Sequence, residues 1–194
     1  RTTRYLRDLV GEHRLSMKDL IYPLFVVKGK NRKEEISSMP GVCRFSVDML
    51  GKELEEIKKA GIISVLLFGA AEKKDAKGSS ACAETGAAQK AVKEIKRLFP
   101  EITVVTDVCL CGYTSHGHCG IMHKDGKTID HDATVEMLGK AAVSHAEAGA
   151  DIVAPSPMMD RQLRAKRENL DAKGFKNTAI IAYSAMYASS LYRP

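Results

Sequence analysis

Ile102-Thr103-Val104-Val105-Thr106-Asp107-Val108-Cys109-Leu110-Cys111-Gly112-Tyr113-Thr114-Ser115-His116-Gly117-His118-Cys119-Gly120 runs from a β-branched apolar segment into a loop that holds three of the chain's five cysteines. The first part reads as a short buried strand. In an extended segment Cys109 and Cys111 point to the same side. A turn through Gly112, Gly117 and Gly120 can then fold Cys119 back beside them. Three thiolates converging at a strand end make a soft donor set suited to zinc. The spacing Cys-x-Cys-x7-Cys is not that of a zinc finger or ribbon, which carries paired knuckles and a fourth ligand. With no fourth protein ligand set by the pattern, it points to an open coordination position, as in catalytic zinc sites. A Cys109–Cys111 disulfide would close a very small ring in poor geometry. Cys43 and Cys82, isolated in the sequence, read as buried inert thiols.

Outward from this stretch, apolar strands alternate with amphipathic helices. Residues 20–27 read as a first buried strand, with Pro23 marking a strand start or edge. Residues 28–39 read as a charged loop and Pro40-Gly41 as a turn. A helix over residues 46–60, with Ser46 as N-cap and Val47, Leu50, Leu54 and Ile57 on one face, stops at Gly61. The apolar run 62–68 has the character of a strand buried on both faces. Residues 69–81, rich in Gly, Ala, Ser and Lys, form a loop suited to a mobile lid. A second helix is expected over 85–99 and a third over 132–148, the latter capped by Asp132 and ended by Gly149. A strand over 150–154, the turn Pro155-Ser156-Pro157, a helix over 159–172 and a last strand over 178–184 complete the pattern.

Repeated strand–helix–strand units with apolar strands mean a parallel sheet covered by helices. A doubly wound sheet would carry a glycine-rich phosphate loop after an early strand, and Gly69 opens no such motif. A β/α barrel places its chemistry at the C-terminal ends of strands. The cysteine loop, Pro155-Ser156 and Tyr183-Ser184-Ala185-Met186 all sit at such ends, so the expected fold is α/β, a TIM-type barrel. Five strands are legible where a closed barrel needs eight, over roughly 250 residues. Either the chain is part of a longer one or another chain completes it. The division is an N-terminal arm over 1–19, too polar to stand alone and suited to packing on a second subunit, and a barrel domain over 20–194.

At 194 residues, 44% hydrophobic and 28% charged, the chain has the composition of a globular domain with a real core. No apolar run approaches the roughly 20 residues of a membrane span, and no signal peptide opens at Arg1. Reduced, metal-bound cysteines suit a cytoplasmic address. The formal charge of +6 is concentrated in the arm (Arg1, Arg4, Arg7, Arg14) and in residues 161–176. Basic residues there alternate with acids on helix faces, without aromatic–basic stacking patterns, so neither nucleic acid nor a membrane is an expected partner.

Longer motifs carry a resemblance. They are Asp19-Leu20-Ile21-Tyr22-Pro23-Leu24-Phe25-Val26, Ser38-Met39-Pro40-Gly41-Val42, Glu72-Lys73-Lys74-Asp75, residues 106–120, Gly149-Ala150-Asp151-Ile152-Val153-Ala154-Pro155-Ser156, Met158-Met159-Asp160 and Tyr183-Ser184-Ala185-Met186-Tyr187-Ala188-Ser189. Over essentially its whole length the chain resembles porphobilinogen synthase (δ-aminolaevulinate dehydratase), and the cysteine stretch resembles that family's zinc-dependent branch. The resemblance implies an eight-strand barrel whose arm wraps a neighbour, commonly in a homo-octamer. It implies condensation of two 5-aminolaevulinate molecules, with loss of two waters, to porphobilinogen in heme biosynthesis. By the same resemblance Cys109, Cys111 and Cys119 are the zinc ligands and Asp107 is an acidic residue beside them. His118 adjoins the last ligand, as a supporting group or a ligand itself. The other histidines of this half, His116, His123, His131 and His145, read as loop or surface residues.

Departures from the family pattern matter as much. Met186 stands where the family has a lysine that activates a substrate carbonyl, and a thioether cannot form an imine. The family's principal Schiff-base lysine belongs to a later strand, which this sequence does not include. Pro157 replaces a usual Asp, and Arg161 and Arg193 each replace a usual Gly. A synthase missing both lysines is expected to be inactive alone. The rival expectation is a catalytically dead, zinc-binding relative with an assembly or regulatory role.

Overall fold

The computed structural model describes residues 2–184. Its sheet has seven strands in the order β2-β3-β1-β4-β5-β6-β7. These are β1 (Tyr22–Val27), β2 (Lys33–Glu35), β3 (Cys43–Ser46), β4 (Ser64–Gly69), β5 (Thr103–Asp107), β6 (Ile152–Ala154) and β7 (Ala179–Ile180). All neighbours pair in parallel except β2 with β3. Among the described residues the sheet does not close.

Five helices accompany it: α1 (Arg4–Leu9), α2 (Leu50–Lys59), α3 (Ala87–Leu98), α4 (His131–Glu147) and α5 (Gln162–Ala172). The expected stripes are buried, with Leu50, Leu54 and Ile57 on α2, Ala91, Val92 and Ile95 on α3, and Leu138 and Ala142 on α4. The α2 and α3 stripes pack on the sheet with Val26, Val65, Leu67 and Val104, all fully buried, whereas Leu138 and Ala142 of α4 join a second cluster with Val108, Leu110 and Val153. The opposite face is only half-covered: Leu66, Phe68 and Phe25 are partly exposed, the two phenylalanines stacked with centroids 5.0 Å apart. Burial of β4 on both faces, expected from its unbroken apolar run, is therefore complete on one face only.

Several expected boundaries shift for identifiable reasons. The charged loop over 28–39 contains β2, which pairs with β3 through Glu34↔Arg44. Ser46 does not cap a helix, because its hydroxyl accepts from the Arg32 amide (2.8 Å), and a 3-10 turn Val47–Met49 intervenes. The third helix is capped by Asp130, not Asp132: the Asp130 side chain accepts from the Ala133 amide at 3.1 Å. The helix expected from residue 159 starts at Gln162, because Arg161 holds a left-handed backbone with φ of 63°. The last strand stops at Ile180 because its neighbour β6 ends at Ala154, where Pro155 cannot donate to a ladder. Pro23 is accommodated in β1 since β3 runs alongside only from Phe25 onward. Cys43 and Cys82 are half-buried rather than buried.

The arm is exposed throughout, with Tyr5, Leu9 and Leu15 at 85%, 76% and 80% exposure. Its six-residue α1 buries nothing. No helix among the described residues is long and apolar enough to cross a membrane.

His145, expected at the surface, is buried in α4, and neither ring nitrogen has a partner among the described residues. Burial pushes its pKa down from 6.5 to about 4. The folded value lies below the unfolded one, so the unfolded chain binds more protons between them. Stability from this group is full above pH 6.5 and drains as pH falls toward 4. The shift corresponds to a loss on the order of 3 kcal/mol, and His145→Leu should remove that part of the acid sensitivity in urea unfolding at pH 7 and pH 4. Equal slopes for the two proteins would contradict it.

Arg161 is a second test. A left-handed non-glycine residue costs roughly 1–2 kcal/mol, and its ion pair to Asp132 at 3.3 Å is exposed on both sides and contributes little. Arg161→Gly should stabilise by about 0.5–1 kcal/mol after the extra chain entropy of glycine, read as a higher Tm, whereas Arg161→Ala should not.

Candidate metal centre

Strand β5 lies between β4 and β6, with Thr106 opposite Leu67 on one side and Val153 on the other. Asp107 pairs with Ala154, and the Val108 amide donates to the Ala154 carbonyl at 3.0 Å. The strand then ends. Residues 109–111 are not extended: the Tyr113 and Thr114 amides both donate to the Leu110 carbonyl (2.8 and 2.9 Å), closing a turn around buried Leu110. The turn, rather than strand alternation, brings Cys109 Sγ to 3.3 Å from Cys111 Sγ.

The three glycines of the loop act differently. Gly117 has a φ of 74° and turns the chain back. Gly112 permits close approach, since a Cβ there would meet the Gly69 carbonyl oxygen at 2.6 Å. At Gly120 a Cβ would meet Ile129 Cγ2 at 2.8 Å and Thr134 Oγ1 of α4 at 3.2 Å, so glycine lets the loop approach the start of that helix closely. The return also depends on Thr114 Oγ1, which donates to the His118 carbonyl (2.8 Å), and on the Ile121 amide, which donates to Thr134 Oγ1 (2.9 Å). The 69–81 segment, expected as a mobile lid, is bound to the same loop. Asp75 bridges Thr114, and the Ser115 amide donates to the Asp75 carbonyl at 2.9 Å.

The result is a cluster in which the sulfurs of Cys109, Cys111 and Cys119 lie within 4.8 Å of one another. Among the described residues it is the one group of three or more His, Cys, Asp or Glu side chains so placed. Three soft donors at that separation fit a thiophilic divalent ion and leave a coordination position open. Hydrogen bonds from Cys109 and Cys119 hold the Cys111 thiol well below the usual range, whereas the same bonds raise Cys119. An ion taking all three sulfurs would have to displace the remaining protons.

Asp107 stands beside this cluster. Among the described residues its buried Oδ1 has no hydrogen-bond partner. Burial, with Cys109 alongside, pushes its carboxyl up to about 7, while the Ser156 hydroxyl and the Lys166 ammonium act the other way. Tyr183, just past β7, is raised to about 12 by burial and by Asp107 and Cys109. His118 is exposed and outside the sulfur cluster, and its amide donates to His116 Nδ1 at 3.2 Å. Met186 lies outside the described residues.

Sequence reasoning missed Lys166. The side chain is wholly buried on α5, although lysine on an amphipathic helix reads as solvated. The available signal was its spacing of four from Leu170, which is also fully buried, on the same helix face. His145 carried the same kind of signal, standing seven residues from Leu138 along the buried face of α4.

Comparison with known proteins gives the family. The family model for delta-aminolevulinic acid dehydratase matches residues 1–194. The delta-aminolevulinic acid dehydratase of Ruminiclostridium josui is 52% identical over 194 residues, covering all of this chain and 94% of that protein. That of Archaeoglobus fulgidus is 51% identical over 189 residues, 97% of this chain and 58% of the relative. A crystal structure of the Toxoplasma gondii enzyme, in complex with the reaction product porphobilinogen, superposes with a TM-score of 0.92 at 39% identity. It is matched by 98% of this chain, which spans 54% of its length. The chain therefore spans little more than half the length of several relatives, and across that span it belongs to the delta-aminolevulinic acid dehydratase (porphobilinogen synthase) family.

Proposed function

We propose that this chain supplies the zinc-binding half of a porphobilinogen synthase, the enzyme that condenses two 5-aminolaevulinate molecules to porphobilinogen. The observation that carries the reading is the convergence of three cysteine sulfurs, without a fourth ligand, at the C-terminal end of a parallel strand. In a barrel that end is where substrates meet catalytic groups. Cys109, Cys111 and Cys119 hold the ion, which when bound supplies a Lewis acid able to polarise a substrate oxygen. Asp107 keeps a carboxyl group in a largely dry position next to it, with Oδ1 available to accept a hydrogen bond from a bound amine or water. His118 serves the loop rather than the ion, consistent with its exposure.

Met186 removes the amine that a carbonyl-activating lysine would provide, so these 194 residues alone do not complete the reaction. The exposed apolar residues of the arm suit a homo-oligomer in which a neighbour covers them. Five free thiols suit a reducing, cytoplasmic setting. The second reading, a zinc-binding relative without catalysis, is favoured by Met186 and by the strained Arg161.

Zinc analysis of the purified chain should give one ion per chain, lost on chelation, and Cys119→Ala should abolish stoichiometric binding. Unchanged zinc in that variant would refute the three-thiolate centre. Assay of the chain with 5-aminolaevulinate should yield no porphobilinogen above a blank, and turnover by the 194 residues alone would sink the claim of dependence on missing amines. In the full-length protein Met186→Lys should raise turnover by about tenfold or more, equivalent to roughly 1.4 kcal/mol of barrier. No gain there would favour the non-catalytic reading.

A further inference from the structure

We infer that Asp75 is a positioning residue for the three-cysteine centre, the buckle of a strap over residues 71–78 that holds the cysteine loop in its metal-binding shape. The inference rests on the metal-binding reading and deepens it. The strap leaves β4 and lies along the loop, bonded to it through the main chain. The Ala71 amide donates to the Gly112 carbonyl (3.1 Å), the Asp75 amide to the Tyr113 carbonyl (3.3 Å), and the Ser115 amide to the Asp75 carbonyl (2.9 Å). His116 Nε2 lies 3.2 Å from the Ala76 carbonyl oxygen. Gly112, Tyr113, Ser115 and His116 all fall between Cys111 and Cys119, so the strap holds the stretch that must carry Cys119 back.

The Asp75 side chain gives the strap its shape. Its Oδ1 accepts from the Lys77 amide at 2.8 Å and from the Ser79 amide at 3.1 Å, coiling the chain over 75–79. Gly78 holds a φ of 65° within that coil and is pressed against the loop. A Cβ there would lie 3.3 Å from Thr114 Cγ2, 3.5 Å from Tyr113 Cβ and 3.6 Å from Leu110 Cβ. Leu110 is the centre of the turn that brings Cys109 and Cys111 together. The coil therefore touches the loop on both sides of Cys111. Asp75 is itself exposed, so its effect on the sulfurs passes through the loop backbone. Without its carboxylate two amides of the coil lose their acceptor. The loop then has to be ordered when the ion arrives, and that ordering subtracts from affinity.

The test compares wild type, Asp75→Ala, Asp75→Asn, Gly78→Ala, Asp125→Ala and Cys119→Ala by zinc-chelator competition at neutral pH. Absorption of the cobalt(II)-loaded proteins reports sulfur ligation, and thermal unfolding follows the metal-free forms. Asp75→Ala should weaken zinc binding about tenfold, the scale of losing an outer support, and reduce thiolate-to-cobalt charge-transfer absorption. Asp75→Asn keeps an oxygen acceptor for the same amides and should stay within about twofold of wild type. Gly78→Ala, forced into a left-handed backbone against Thr114, should weaken binding as Asp75→Ala does and decides the matter if Asp75→Ala fails to fold. Asp125 closes a similar turn, accepting from the Lys127 and Thr128 amides at 2.9 and 3.2 Å, with no hydrogen bond to the strap among the described residues. Asp125→Ala should leave zinc affinity unchanged. Affinity within about twofold of wild type in both Asp75→Ala and Gly78→Ala overturns the inference and leaves the metal centre standing. Equal losses in Asp75→Ala and Asp75→Asn, or in Asp75→Ala and Asp125→Ala, overturn it as well. Wild type that binds no zinc, or binds it equally with Cys119→Ala, removes the centre and this inference together.

Discussion

The pairing of Thr106 and Asp107 between Leu67 on one side and Val153 and Ala154 on the other is the constraint on which the site depends. Backbone bonds to both neighbours leave the end of β5 no freedom, so the next residues leave the sheet from a defined point in a defined direction. The buried turn at Leu110 then converts that direction into a sulfur cluster. Without the parallel register, the same cysteines would lie on a loop with no fixed relation to Asp107, Ser156 or Lys166. Metal ligands held this way gain affinity because little ordering remains to be done when the ion arrives.

Rigidity comes with electrostatic strain. An unpartnered carboxyl oxygen on Asp107 (among the described residues) and three neighbouring thiols follow one strand end, and α5 buries the Lys166 side chain completely. Each is unfavourable alone, and apolar replacements would often be tolerated or stabilising. Their concentration at a strand terminus matches the pattern in which local rules are broken at functional positions while the remainder obeys them. His145 is different. It lies on the buried face of α4 with no charged group acting on its titration, and the structure shows no chemistry that would explain it.

Much of this was legible beforehand. The order of strands and helices followed from apolar runs and glycine stops, and Gly61 and Gly149 do take positive φ at the helix ends expected. The sulfur cluster followed from spacing, although the turn rather than strand alternation achieves it. The β2–β3 pair escaped notice because Lys33–Glu35 is charged and wholly exposed, so no burial pattern marks it. Lys166 and His145 escaped because residue type argued for solvent while position argued for the core. In both cases position prevailed, since the helix face was already committed by Leu170 and Leu138. Arg161 broke a helix that propensity alone would have started earlier, a backbone effect no side-chain pattern reveals.

From β1 onward, through β4, β5, β6 and β7, spatial order repeats chain order. Each strand and its helix can dock on the open edge left by the unit before, as the chain emerges from the ribosome. Growth from the N-terminus in this way keeps each loop closure short, which lowers the entropic barrier that slows parallel sheets. It also leaves the Phe25–Phe68 side of the sheet wet during synthesis, so the nascent intermediate carries a sticky face.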